Sequence, residues 1–113
     1  MIIKREKEFQ LICKVTDLNE NEGKRFIIDD VEFAVFKVNG EIFALNNICP
    51  HQKSAIIYNG FIEDGKVVCP AHGWEFNLCD GKQGFGKSGL DSYSVKVENG
   101  NVYVKVFSKE LDW

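Results

Sequence analysis

Apolar side chains recur at every second position over short runs of this chain, and no stretch of about a dozen residues keeps a helical period. The pattern predicts an all-β fold. The clearest hairpin runs from Val31 to Val38, turns at Asn39-Gly40 and returns from Glu41 to Leu45; Asn-Gly accepts the positive φ angles of a type I′ turn. A second runs from Tyr93 to Val97, turns at Asn99-Gly100 and returns through Val102 to Phe107. In it Tyr93, Val95 and Val97 alternate with Ser94 and Lys96, which predicts one buried and one wet face.

The segment from about Asn46 to Leu90 differs in character. It holds both prolines, both histidines, seven of the ten glycines and three of the four cysteines, so it reads as a functional insertion in a β scaffold. Asp64-Gly65 and Asp80-Gly81 are turn signals within it, and Lys66-Val-Val-Cys69 reads as a short strand that delivers a cysteine to a loop. No repeat, low-complexity linker or domain boundary appears, and 113 residues fit a single domain spanning 1–113.

Charge narrows the function. The 14 basic and 17 acidic side chains are interleaved, so no basic stripe is available to neutralise a row of phosphates, and nucleic acid is excluded as an expected partner. Met1 to Gln10 lack an apolar run long enough for a signal segment or membrane span, which places the expected site of action in the cytoplasm, away from membranes. In a reducing compartment four cysteines point to metal or redox chemistry more than to disulfides.

Two short loops carry that chemistry. Cys49-Pro-His51 and, after 17 intervening residues, Cys69-Pro-Ala-His72 each present one thiolate and one imidazole, and they contain both histidines of the chain. Each loop can give its cysteine to one iron and its histidine to a second, which is the two-Cys, two-His ligation of a Rieske 2Fe-2S centre. A closed zinc site is the alternative for the same four residues, within a zinc-stabilised interaction domain. Zinc modules, however, draw their ligand pairs from Cys-x2-4-Cys and His-x3-5-His spacings, whereas here each loop mixes the two types. With both histidines spent on metal, no nucleophile-plus-base arrangement remains, and no Gly-rich phosphate loop appears. The chain is expected to carry electrons and not to catalyse substrate chemistry alone.

Cys49-Pro-His51 and Cys69-Pro-Ala-His72-Gly-Trp-Glu-Phe-Asn-Leu78, followed by Asp80-Gly81-Lys82, resemble the Rieske ferredoxin family. The later run from Gly84 to Gly100 is most similar to the small subunit of assimilatory nitrite reductase. The resemblance spans roughly Phe33 to Val106. It implies an antiparallel β-sandwich with an inserted cluster-binding subdomain, a Rieske 2Fe-2S cluster on Cys49, His51, Cys69 and His72, and redox protein partners: a reductase or a large catalytic subunit. Two roles fit, the small subunit of an NAD(P)H-dependent nitrite reductase or a similar ferredoxin, and the ferredoxin shuttle of an aromatic-ring dioxygenase system.

Departures from the family carry their own expectations. High-potential Rieske proteins bridge their loops with two further cysteines; Ser54 and Ala71 stand at the matching positions here. Where those proteins set hydroxyls near the cluster sulfurs, this chain has Trp74 and Phe76, neither of which offers an O–H donor to stabilise added charge. Both changes favour the lower end of the Rieske range of about −150 to +300 mV. Lys53-Ser54-Ala55-Ile56 replaces a segment in which relatives have Gly, a small residue, Pro and Leu; a left-handed backbone at Lys53 would cost about 1 kcal/mol. Lys53 itself is expected to be a solvated loop lysine. Cys13, in the run Leu11 to Val15, is expected to be a small core side chain, Cys79 a bystander beside the closing turn, and Trp74 a packing residue under the loops.

Overall fold

The computed structural model of the chain describes residues 2–6, 8–49, 54–71, 73–83 and 89–111. The first five strands are β1 (Ile2–Glu6), β2 (Gln10–Lys14), β3 (Gly23–Ile28), β4 (Val31–Val38) and β5 (Glu41–Asn46). Five very short ones follow: β6 (Ile48–Cys49), β7 (Ser54–Ala55), β8 (Phe61–Glu63), β9 (Lys66–Val68) and β10 (Glu75–Asn77). The chain closes with β11 (Ser92–Glu98), β12 (Asn101–Lys105) and β13 (Phe107–Leu111). Helical structure among the described residues is confined to single 3-10 turns at Val15–Asp17 and Ile57–Asn59.

All named strand pairs are antiparallel. The large sheet has the order β2-β12-β11-β5-β4-β3, while β10-β9-β8, β6-β7 and β1-β13 form separate small sheets. Both Asn-Gly hairpins form as the sequence predicts: Asn39 and Gly40 have φ of 51° and 80°, Asn99 and Gly100 of 53° and 78°. Asp64 and Gly65 (49° and 75°) make the same kind of turn between β8 and β9. A fourth, at Asp29-Asp30 between β3 and β4, places two non-glycine residues at φ of 47° and 66°.

Strand β4 organises the interior. Phe33, Ala34, Val35 and Phe36 are all fully buried, because the sheet is covered on both faces. Ala34 and Phe36 join Leu45 in one core, and Phe33 and Val35 join Ala44 in another. The second core is closed by Leu18, Tyr93, Val102, Val104 and Val106, with Phe33 meeting Tyr93 edge-on at 6.0 Å. The first is closed by the 46–90 segment: Cys49, Ile57, Val67, Cys69, Phe76, Leu78 and Leu90. The large sheet is thus the shared floor of two apolar layers, one of which carries both loop cysteines.

The predicted alternation in the second hairpin holds only at its base. Tyr93 is buried and Val95 half-buried, but Val97 is 51% exposed. The cause is topological: β11 pairs with β5 only through Ser92 and Tyr93, and beyond that point β11 runs on past β5 with β12 as its pairing partner, while β12 stays paired with β2 as far as Asn101. The return strand also breaks earlier than expected, since β12 ends at Lys105 and Phe107 starts β13, which pairs with β1.

Candidate functional site

The first loop leaves the large sheet through two consecutive asparagines. Asn46 accepts the Ile48 amide on its side-chain oxygen at 2.9 Å and donates to the Tyr93 hydroxyl at 3.0 Å. Burial pushes the Tyr93 phenol up to about 12, the Asn46 hydrogen bond opposing that shift, so it stays a neutral donor and acceptor at ordinary pH. Asn47 is the only fully buried polar side chain among the described residues. Its amide donates to the Glu32 carboxylate at 2.7 Å, and its oxygen accepts the Tyr58 amide at 2.7 Å. Its backbone N–H donates to the Glu32 carbonyl at 3.0 Å, and its carbonyl accepts from the Ile57 amide at 3.2 Å. Glu32 in turn meets Arg25 at 3.1 Å. Two residues before Cys49, this knot ties β4, the exit from β5 and the Ile57–Asn59 turn together.

From there β6 carries Cys49 into the first core, and the β6–β7 pairing sets Cys49 opposite Ser54. The second loop is closed by its own backbone. The Cys69 amide donates to the Trp74 carbonyl at 2.7 Å, and the Gly73 amide donates to the Cys69 carbonyl at 3.0 Å. Gly73 sits at φ +77° with open space where a Cβ would lie, so glycine is needed there for backbone conformation and not for room. Trp74 packs against the first core, as a residue bracing the loop should.

These two anchors bring Cys49 and Cys69, twenty positions apart, to a sulfur–sulfur distance of 3.4 Å, both buried and neither in a disulfide. Two thiolates on one tetrahedral metal at bonds of about 2.3 Å stand about 3.8 Å apart, so the pair fits two corners of one metal site with little adjustment. Of the four predicted ligands, the structure therefore unites the two cysteines. His51 and His72 lie outside the described residues, as do Pro50, Gln52 and Lys53. Among the described residues no three His, Cys, Asp or Glu side chains gather as a metal site. Ser54 and Ala71, where a loop-bridging disulfide is absent, are both exposed, and Phe76 is fully buried beneath the loops.

The other cysteines stand apart. Cys13 is half-buried against the second core, and burial raises its thiol pKa; Cys79 is exposed. Sequence reasoning passed over Asn46 and Asn47. Their signal is a pair of amides ending the apolar run Phe43-Ala-Leu45 just before a ligand loop.

Comparison with known proteins agrees with this geometry. The model of the Rieske [2Fe-2S] domain family matches residues 8–87. The ferredoxin component of the alkene monooxygenase system of Xanthobacter autotrophicus is 34% identical over 99 residues, covering 86% of this chain and 80% of that protein. The ferredoxin component of the naphthalene 1,2-dioxygenase system of Pseudomonas putida is 32% identical over 92 residues, covering 80% and 88% respectively. In fold, the chain superimposes on a crystal structure described as an NADH-dependent nitrite reductase small subunit from Mycobacterium tuberculosis with a TM-score of 0.80, at 21% identity, over 94% of this chain and 96% of that one. No helix among the described residues is long and apolar enough to cross a membrane. With a matching family model over most of its length and ferredoxin relatives on either side of a third identical, the chain belongs to the Rieske [2Fe-2S] domain family, with a Rieske 2Fe-2S cluster as its cofactor and electron transfer between redox proteins as its work.

Proposed function

We propose that Cys49 and Cys69 hold one iron of the cluster and His51 and His72 the other, in a single Rieske domain whose cluster-binding part spans about 46–90. The observation that carries this reading is the buried Cys49–Cys69 pair at 3.4 Å, delivered from two separately anchored loops. When bound, the cluster takes up and gives back one electron. The chain's own residues keep the sulfurs out of water, brace the loops through Asn47, Gly73 and Trp74, and offer no hydroxyl from Trp74 or Phe76, which favours a low potential.

In this reading the protein is a cytoplasmic ferredoxin that passes single electrons from a flavin-type reductase to a terminal oxygenase component. Its identity with two oxygenase-system ferredoxins over most of their lengths supports that role. The small-subunit role in nitrite reduction is the second reading, supported by the near-complete fold match and the run from Gly84 to Gly100. Purification from the native host separates the two: a free small carrier supports the first, and co-elution with a sirohaem-containing subunit supports the second.

The ligand set is tested by chemistry and spectroscopy together. The purified protein is expected to be red-brown, with two irons and two acid-labile sulfides per chain. Cys49→Ser and Cys69→Ser are each expected to lose the cluster, and His72→Cys to change or abolish the reduced-state EPR spectrum. A colourless protein holding one zinc after expression in iron-replete cells would overturn the assignment.

A further inference from the structure

Phe61 is 65% exposed, more than any other large apolar side chain described. It opens β8, directly opposite Val68 at the end of β9, and Val68 lies opposite Glu75 at the start of β10. Side chains opposite one another across antiparallel strands share a face. Phe61, Val68 and Glu75 therefore form one row on the outer face of the small sheet, while Ile62, Val67 and Phe76 point into the first core. That row lies at the loop end of the sheet: Val68 is the residue before Cys69, and strand spacings put the Phe61 Cα about 6 Å from the Cys69 Cα. Ile48, the residue before Cys49, is also exposed, at 38%.

The charge around Phe61 has a sign. Glu63 follows it on the same face, Asp64 sits in the adjoining turn, and Glu75 closes the row; Lys66, the one cation among the described residues of these three strands, lies 3.6 Å from Glu75. Three carboxylates against one ammonium make an acidic rim around an aromatic centre, the anatomy of an interface whose partner is basic at its edge. Leu11, Ile27 and Val97 are exposed as well, but on β2, on β3 and near the tip of the β11–β12 hairpin, where single apolar residues are ordinary surface.

We propose that the outer face of the β8–β9–β10 sheet, centred on Phe61, docks a redox protein whose own contact patch is apolar at its centre and basic at its rim, and so brings that protein against the Cys69 loop. The proposal rests on the assignment of Cys69 as a cluster ligand. Electron tunnelling falls off exponentially with distance, so a face that begins one residue from a ligand is where a partner gains most by docking. An exposed phenylalanine suits the role of anchor, since aromatic side chains at interface centres are enriched among residues that dominate binding.

The test uses the holoprotein, reduced chemically, with cytochrome c as a basic protein acceptor and ferricyanide as a small acceptor that needs no docking. Phe61→Ser is expected to lower the second-order rate constant with cytochrome c about fivefold or more, leaving the ferricyanide rate and the EPR spectrum unchanged. Glu63→Lys should lower the cytochrome c rate and flatten its dependence on salt. Leu11→Ser is the control and should behave like the parent. Equal cytochrome c rates for Phe61→Ser and the parent, or an equal loss in Leu11→Ser, would overturn the proposal. So would a parent dimer that Phe61→Ser converts to monomer, because a second copy would then cover the face. A parent protein without a reduced-state EPR signal would instead overturn the ligand assignment, and this proposal with it.

Discussion

At the scale of single residues, Asn47 does work that no charged or metal-binding side chain does. It is wholly buried, and its amide and oxygen bridge Glu32 and the Tyr58 amide at 2.7 Å each. Asn47→Ala leaves the Tyr58 amide without its acceptor and takes one donor from the Glu32 carboxylate, which keeps Arg25 at 3.1 Å. The expected cost is about 1–3 kcal/mol. At roughly 4–8 °C per kcal/mol for a small domain, that is a clear fall in the thermal midpoint of the holoprotein. A midpoint equal to that of the parent would show that the bridge contributes nothing. The two cysteine loops stood out in the sequence as a candidate site because a Cys–His pair repeated in two loops is rare and chemically specific, and the structure brings their cysteines to 3.4 Å. Asn47 did not, because a buried amide reads in sequence like any polar residue at a strand end. Only the fold shows that two elements converge on it.

At the scale of elements, turn chemistry decides what the sequence discloses. Asn39-Gly40, Asn99-Gly100 and Asp64-Gly65 announce their hairpins because glycine reaches positive φ without strain. Asp29-Asp30 joins β3 to β4 with the same backbone sign but no glycine, and so gives no comparable signal. Left-handed φ costs aspartate less than most residues, though not nothing. Asp30→Gly, with φ already at 66°, is expected to stabilise the protein by about 0.5–1 kcal/mol, read as a raised midpoint in urea at constant slope. No gain would mean that the aspartate side chain offsets its own backbone strain. The pairing of β1 with β13 was also illegible, since it joins residues about a hundred positions apart and neither strand carries a local sign of its partner.

At the scale of the whole molecule, the composition shift at 46–90 drew attention to a segment whose Cys49, Ile57, Val67, Cys69, Phe76, Leu78 and Leu90 pack together in the first core. It could not show that β4 would be covered on both faces. The continuous apolar run Phe33-Ala-Val-Phe36 was the trace of that, but such a run reads equally as a buried strand or as part of a helix until its neighbours are known. The two cores that share β4 differ in what supports them. The second is framed by β12 of five residues and β4 of eight, in a six-stranded sheet. The first is roofed by strands of two or three residues, in sheets of two and three strands that are too small to persist alone. Cys49 and Cys69 lie inside that first core, so metal bound to both would cross-link its two loops and couple cluster binding to its packing. Stripping iron with a chelator under reducing conditions should therefore loosen one layer and spare the other. Hydrogen exchange is expected to accelerate by orders of magnitude at the amides of β9 and β10, while those of β12 and the β4–β5 ladder retain most of their protection. Loss of protection in both layers at one common rate would show that the cores unfold as a unit, and that the large sheet depends on the cluster as much as the loops do.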